Sequence, residues 1–239
     1  KNGFIAKSNH YGYAQTSTGP GHTTVATGTY PSVHGIIGNS WFDKKLNKSI
    51  YCVDDNNYFT VGSESDQGQK SPANMLTTTL ADENRIATNF KGKTIGVAIK
   101  DRGSILSSGH TANAAYWFEG GETGNFITSS YYLDSLPSWV QKFNSSRKID
   151  KYLKTWNTLY DISSYIESGP DDNNYESNFR GEKKAVFPHN FKIKSNIGFL
   201  MYVADAAGYL GSTLVLLFKN FNNTNYSWVS FFTFSAMIT

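Results

Sequence analysis

With one cysteine, Cys52, the chain can form no internal disulfide and no cysteine-built metal cage. Charge of one sign is scarce too: a net charge of +3 gives no electrostatic footprint for nucleic acid or an acidic membrane surface. Histidines number five, and His10, His110 and His189 lack any spaced partner that would make a metal site. Long apolar runs are missing apart from residues 198–218, which have the length of a membrane span. Asp205, two internal glycines and a Gly-Ser-Thr in the middle argue against a spanning helix there. No repeat is evident, and no secretory signal opens the chain at Lys1, as a trimmed chain would also show none.

What is present is a globular, aromatic-rich composition with 15 tyrosines and 16 phenylalanines. The 239 residues suffice for one large domain or two small ones. Low net charge makes the Tyr and Trp residues core material rather than a base-stacking platform.

The organising stretch is 16–39, TSTGPGHTTVATGTYPSVHGIIGN. Thr16, Ser17 and Thr18 precede a Gly-Pro-Gly turn that feeds a short helix ending at Gly28. Pro20 suits a first helical turn. A hydroxyl beside a helix start lies where free N–H groups and the positive dipole end attract anions. Thr18 is thus placed as a nucleophile, although an isolated Thr before Gly-Pro is ordinarily a helix cap.

Further along, residues 40–53 read as a hairpin, 54–70 as a polar loop, and 71–92 as a helix opening at Ser71-Pro72. Residues 93–99, KTIGVAI, have the unbroken apolar character of a buried parallel strand. A helix followed by such a strand predicts an α/β sheet. Lys100-Asp101-Arg102-Gly103 comes next, at the strand end where open α/β sheets bind ligands. Residues 114–132 read as a second hairpin, 136–143 and 148–160 as helices, 169–184 as a surface loop and 226–234 as a buried strand.

Thr18, Asn39, Lys100 and Arg102 together form a phosphoryl-transfer set. A Thr oxygen can attack phosphorus, an amide can donate to a non-bridging oxygen, and an ammonium with a guanidinium can hold a dianion. A Thr hydroxyl is a poor nucleophile at neutral pH, and a two-metal pattern would activate it.

Ser17-Thr-Gly-Pro-Gly-His22, Thr27-Gly-Thr-Tyr-Pro31, His34-Gly-Ile-Ile-Gly-Asn39 and Ile99-Lys-Asp-Arg-Gly103 resemble the threonine-nucleophile bacterial alkaline phosphatases. These belong to the alkaline phosphatase superfamily, close to its type I phosphodiesterase/nucleotide pyrophosphatase branch. Ser71-Pro72, Ala115-Tyr-Trp117, Thr123-Gly-Asn-Phe126, Leu136-Pro-Ser-Trp139 and Lys154-Thr-Trp-Asn-Thr-Leu159 extend the similarity over residues 1–190.

The resemblance implies an α/β fold, part of a mostly parallel sheet flanked by helices with inserted β-hairpins. It implies a periplasmic or secreted enzyme with two zinc ions and small phosphate monoesters as substrates. Thr18 would be nucleophile and metal ligand, Asn39 would bind one phosphoryl oxygen, and Lys100 and Arg102 the others. That cationic pair points to monoesters, which carry one more negative charge than diesters.

The pattern also departs from the family. Its other metal ligands, an Asp on a strand before the nucleophile and later Asp and His clusters, have no counterpart here. Residues 1–239 therefore read as one partial domain, lacking the first strand and the metal-binding C-terminal half, with 199–239 matching poorly. Such a piece is expected to be inactive alone. A phosphodiesterase on the same scaffold, and a phosphate-binding remnant without metals, are the alternatives.

His22 and His34 match no family ligand and read as packing or backbone-bonding residues. Asp54-Asp55 and Asp171-Asp172 lack calcium-loop spacing. Cys52 is not in a sulfatase-type setting. Oligomeric state is not legible.

Overall fold

The computed structural model describes residues 10–119, 123–148, 150, 153–167, 169–179, 181–190, 213–222 and 225–233. Helix α1 (Thr18–Thr27) starts on an extended Ser17 and ends at Gly28, whose left-handed φ of 69° lets its N–H reach Thr24 O. Thr18 is thus the first helical residue and Ser17 occupies the cap position. A short α2 (Pro31–His34) leads to the expected hairpin of β1 (Ser40–Asp43) and β2 (Lys48–Tyr51), antiparallel from Ser40↔Tyr51 to Asp43↔Lys48. The loop that follows contains a two-residue strand, β3 (Thr60–Val61).

The helix expected from Ser71 starts later, as α3 (Leu80–Ala87). Thr79 and Asp82 form a reciprocal capping box that fixes this start. Ser71 instead accepts from Ala73 N and donates to Asp55 Oδ2, while Leu76 N donates to His34 O. These bonds hold 71–78 as turns.

Strand β4 (Lys93–Ala98), helix α4 (Asp101–Ser108) and strand β5 (Ala114–Phe118) make the βαβ unit, with β4 and β5 parallel from Ile95↔Ala114 to Ala98↔Trp117. Then come β6 (Phe126–Ser129), α5 (Ser138–Ser145) and the two-residue strands β7 (Thr155–Trp156) and β8 (His189–Asn190), which pair with each other. Strands β9 (Thr213–Asn222) and β10 (Asn225–Thr233) complete a six-stranded sheet ordered β10-β9-β4-β5-β6-β3.

The α/β class holds, and the sheet is mixed: among the described strands only β4 and β5 run parallel. Over 148–160 the described residues hold only 3₁₀ backbone at 148 and 150 in place of the expected helix, and Trp156 lies in β7 and packs on Phe187 and His189. Part of the 198–218 stretch lies outside the described residues, and 213–218 belong to β9. No helix among the described residues is long and apolar enough to cross a membrane.

Strand alternation divides the core into two layers. Ala115 and Trp117 face Ile105 and Leu106 of α4, with Ile36, Cys52 and Val53, while Ala114 and Tyr116 face Val140 of α5 and Leu136. Helix α1 packs on α4. The starts of these two helices carry Thr18 on one side and Lys100-Asp101-Arg102 on the other, which sets up the site.

Candidate active site

Thr18 opens α1, half buried, and its carbonyl accepts a hydrogen bond from Nδ1 of the buried His22 at 3.1 Å. Burial lowers the His22 pKa and the nearby Arg102 charge lowers it further, against the Thr18 carbonyl, so His22 supports the turn as a neutral imidazole. His34, fully buried, accepts from Ile36 N at Nδ1 and contacts Thr24 Oγ1 through Nε2. Both histidines therefore serve the backbone, in line with the expectation from sequence.

The first turn is only partly open for an anion: Thr18 N has no hydrogen-bond partner among the described residues, while the positions after it are closed. Gly19 N donates to Asn39 Oδ1 at 2.7 Å, Gly21 N donates to Ser17 O at 2.9 Å, and Pro20 has no N–H. The Gly19 bond does something more specific. By occupying the carboxamide oxygen it turns the Asn39 NH₂ group outward as a donor. Asn39 is fixed from its other side as well, its carbonyl accepting from Cys52 N at 3.0 Å. Cys52 itself is fully buried, and burial pushes its thiol up to about 12, with Asp101 adding to the effect. It is an inert packing residue beside the site.

Next to Cys52, Tyr51 reaches α4. Its hydroxyl donates to Asp101 Oδ1 at 2.7 Å and accepts from Arg102 Nη1 at 2.7 Å, and the Arg102 guanidinium lies 5.7 Å from the Tyr51 ring centre. Asp101 Oδ1 also accepts from Arg102 N. Burial raises the phenol pKa far above its usual value, with Asp101 adding to the rise, so Tyr51 stays protonated and able to donate. Arg102 Nε is buried with no hydrogen-bond partner. An unpartnered buried guanidinium edge has the donor chemistry of an anion site.

Lys100 stands at the N-cap of α4, exposed overall. Partial desolvation lowers its pKa, and the Arg102 charge lowers it further while Asp101 opposes. The structure thus joins Thr18, Asn39 and Arg102 through one run of contacts from Gly19 to Asn39 to Cys52 and Tyr51, with Lys100 two residues from Arg102. Tyr51 and Asp101 were not legible as site residues, because the Tyr51 bonds cross about 50 positions of sequence.

Among the described residues no group of three His, Cys, Asp or Glu could hold a metal ion. His110 pairs with Asp82, and His189 with Glu182. Asp54 pairs with Lys70 and Asp172 with Lys184.

The structure thus sets a hydroxyl, an oriented amide and two cations on adjoining elements. The sequence pattern of the type I phosphodiesterase / nucleotide pyrophosphatase family matches residues 1–210, and the chain belongs to that family. A family of unknown function matches residues 188–239. The chain is 48% identical over 207 residues to the alkaline phosphatase PhoV of Synechococcus elongatus, covering 86% of this chain and 38% of that protein. It is 44% identical over 218 residues to a protein of Myroides odoratus named calcium-transporting ATPase, covering 90% of this chain and 39% of that one.

The crystal structure of the wild-type alkaline phosphatase PafA matches with a TM-score of 0.70 at 39% identity, covering 82% of this chain and 41% of that chain. A PafA variant substituted at one threonine, one asparagine, one lysine and one arginine matches equally well, at 0.71. The chain spans about two fifths of the length of these relatives.

Proposed function

We propose that the full-length protein is a phosphomonoester hydrolase working through a phosphothreonine at Thr18. Thr18 Oγ1 bonds to phosphorus as the bond to the ester oxygen breaks. The departing oxygen keeps the electron pair and takes up a proton, and the threonine proton passes to solvent. Water then cleaves the phosphothreonine, releasing phosphate and restoring the hydroxyl. Asn39 Nδ2, Lys100 and Arg102 hold the non-bridging oxygens, where charge rises most in the transition state. The observation carrying this reading is Asn39, whose oxygen accepts from Gly19 N and so leaves its NH₂ group to donate.

The family resemblance implies two zinc ions, which would supply activation of the nucleophile. The described residues offer Thr18 and no ligand cluster, so alone they do not fit a zinc site. The remaining ligands belong, on this reading, to other parts of a longer protein, and residues 1–239 alone are inactive. They form one partial domain, supported by the pairing of β9 with β4 in the same sheet. The substrates are small phosphate monoesters and the location is periplasmic or secreted, both inferred from the resemblance.

The family's diesterase members make a phosphodiesterase the second reading. Turnover of 4-nitrophenyl phosphate against its bis-ester by the full-length protein separates the two. Lys100→Ala and Arg102→Ala should each lose more on the monoester, which has one more charge to hold. Equal losses on both esters, or a preference for the diester, would overturn the monoesterase reading.

A further inference from the structure

Arg102 supplies a guanidinium to the site, but an arginine on a helix start has many rotamers, and something must select one. Three groups surround it: the phenol of Tyr51, the carboxylate of Asp101 and, beyond the phenol, the ammonium of Lys70. The Tyr51 hydroxyl bridges Arg102 Nη1 and Asp101 Oδ1 at 2.7 Å each. Its ring carries Arg102 at 5.7 Å and Lys70 Nζ at 5.5 Å from its centre. Lys70 is tied in turn to Asp54 at 2.6 Å. One tyrosine thus holds the guanidinium by a hydrogen bond at one corner and by its ring.

Resting on the monoesterase reading above, we propose that Tyr51 is the positioning residue for Arg102 and thereby sets the preference for monoesters over diesters. With Nη1 held by the phenol and Nε shut away from solvent, the second amino group, Nη2, is the part of the fork left for the phosphoryl group. Asp101 completes the device by accepting the phenol's hydrogen bond, so that the phenol oxygen presents its lone pair to Arg102. A direct carboxylate–guanidinium pair would instead neutralise the charge that the dianion needs. The phenol lets Asp101 orient Arg102 at one remove.

The test is a double-mutant cycle of Tyr51→Phe and Arg102→Ala in the full-length enzyme, read on 4-nitrophenyl phosphate and its bis-ester, with inorganic phosphate as inhibitor. Phenylalanine keeps the ring and its packing and removes only the bridging oxygen. Tyr51→Phe is expected to lower kcat/KM for the monoester roughly tenfold, the scale of one hydrogen bond to a charged group. It should cost the diester several-fold less and weaken phosphate inhibition. In the Arg102→Ala background the same change should have almost no further effect.

An undiminished loss in that background overturns the proposal, since Tyr51 would then act independently of Arg102. Equal losses of Tyr51→Phe on both esters overturn its part in selectivity. The monoesterase reading is judged separately, by the ratio of mono- to diester losses in Arg102→Ala alone. Arg102→Ala with unchanged turnover would overturn both.

Discussion

Gly19, the residue after Thr18, leaves little room for a side chain. A methyl built there would sit 3.1 Å from Gly38 O, 3.2 Å from Asn39 Oδ1 and 3.3 Å from Cys52 Sγ. Gly38 O is backbone and Cys52 is fully buried, so the group that can yield is the Asn39 amide. Yielding stretches the 2.7 Å bond from Gly19 N that orients it. Overpacking of this kind costs about 1–3 kcal/mol of stability. A displaced oxyanion donor costs roughly a hundredfold in kcat/KM.

Gly19→Ala in the full-length protein should therefore lose both, measured by urea unfolding and 4-nitrophenyl phosphate turnover. Gly21→Ala is the internal control: its methyl would meet only Thr16 O, at 3.8 Å, in ordinary contact. There the helix gains roughly 0.5–1 kcal/mol from alanine, and turnover should hold. Wild-type turnover in Gly19→Ala would refute the claim that close approach at Gly19 sets Asn39.

Three pH effects follow from the charges. Asp82 is fully buried, which opposes its ionisation. His110, Thr79 and Thr111 donate to it strongly enough to leave its pKa well below the usual 3.8. Its stabilising contribution is complete above that value and is lost as pH falls toward the folded-state pKa, so Asp82→Asn should flatten the acid limb of stability in urea melts. The hydrogen bond to Asp82 in turn raises His110 above 6.5, a contribution present below 6.5 and lost as pH rises through the folded value. NMR titration should find the His110 pKa raised, and lower again in Asp82→Asn. Lys100, its pKa lowered by desolvation and by Arg102, should lose its proton earlier than an ordinary lysine. Monoester turnover should fall at high pH, and Lys100→Arg should move that limb upward in a pH–rate profile.

Sequence reading succeeded where the signal is local. Pro20 and Gly28 bracket α1, and the apolar 93–99 run is β4 with Lys100 and Arg102 at its end. It failed where two local signals competed. Ser71-Pro72 and the Thr79–Asp82 capping box both mark helix starts, and the second prevails because Asp82 is also anchored by Thr111. Over 148–160, helical spacing gave way to an aromatic nest of Trp156, Phe179, Phe187 and His189, assembled from distant positions. The same limit hid Tyr51: nothing near it in sequence marks a phenol that grips an arginine on another element.

The central claim is that Thr18 becomes phosphorylated during turnover. The direct measurement is to mix the full-length enzyme with a phosphate monoester, quench in acid, where phosphothreonine survives, and map the peptides by mass spectrometry. The account predicts phosphate on Thr18, and none in Thr18→Ala. Phosphate on another residue, or full turnover by Thr18→Ala, would contradict it.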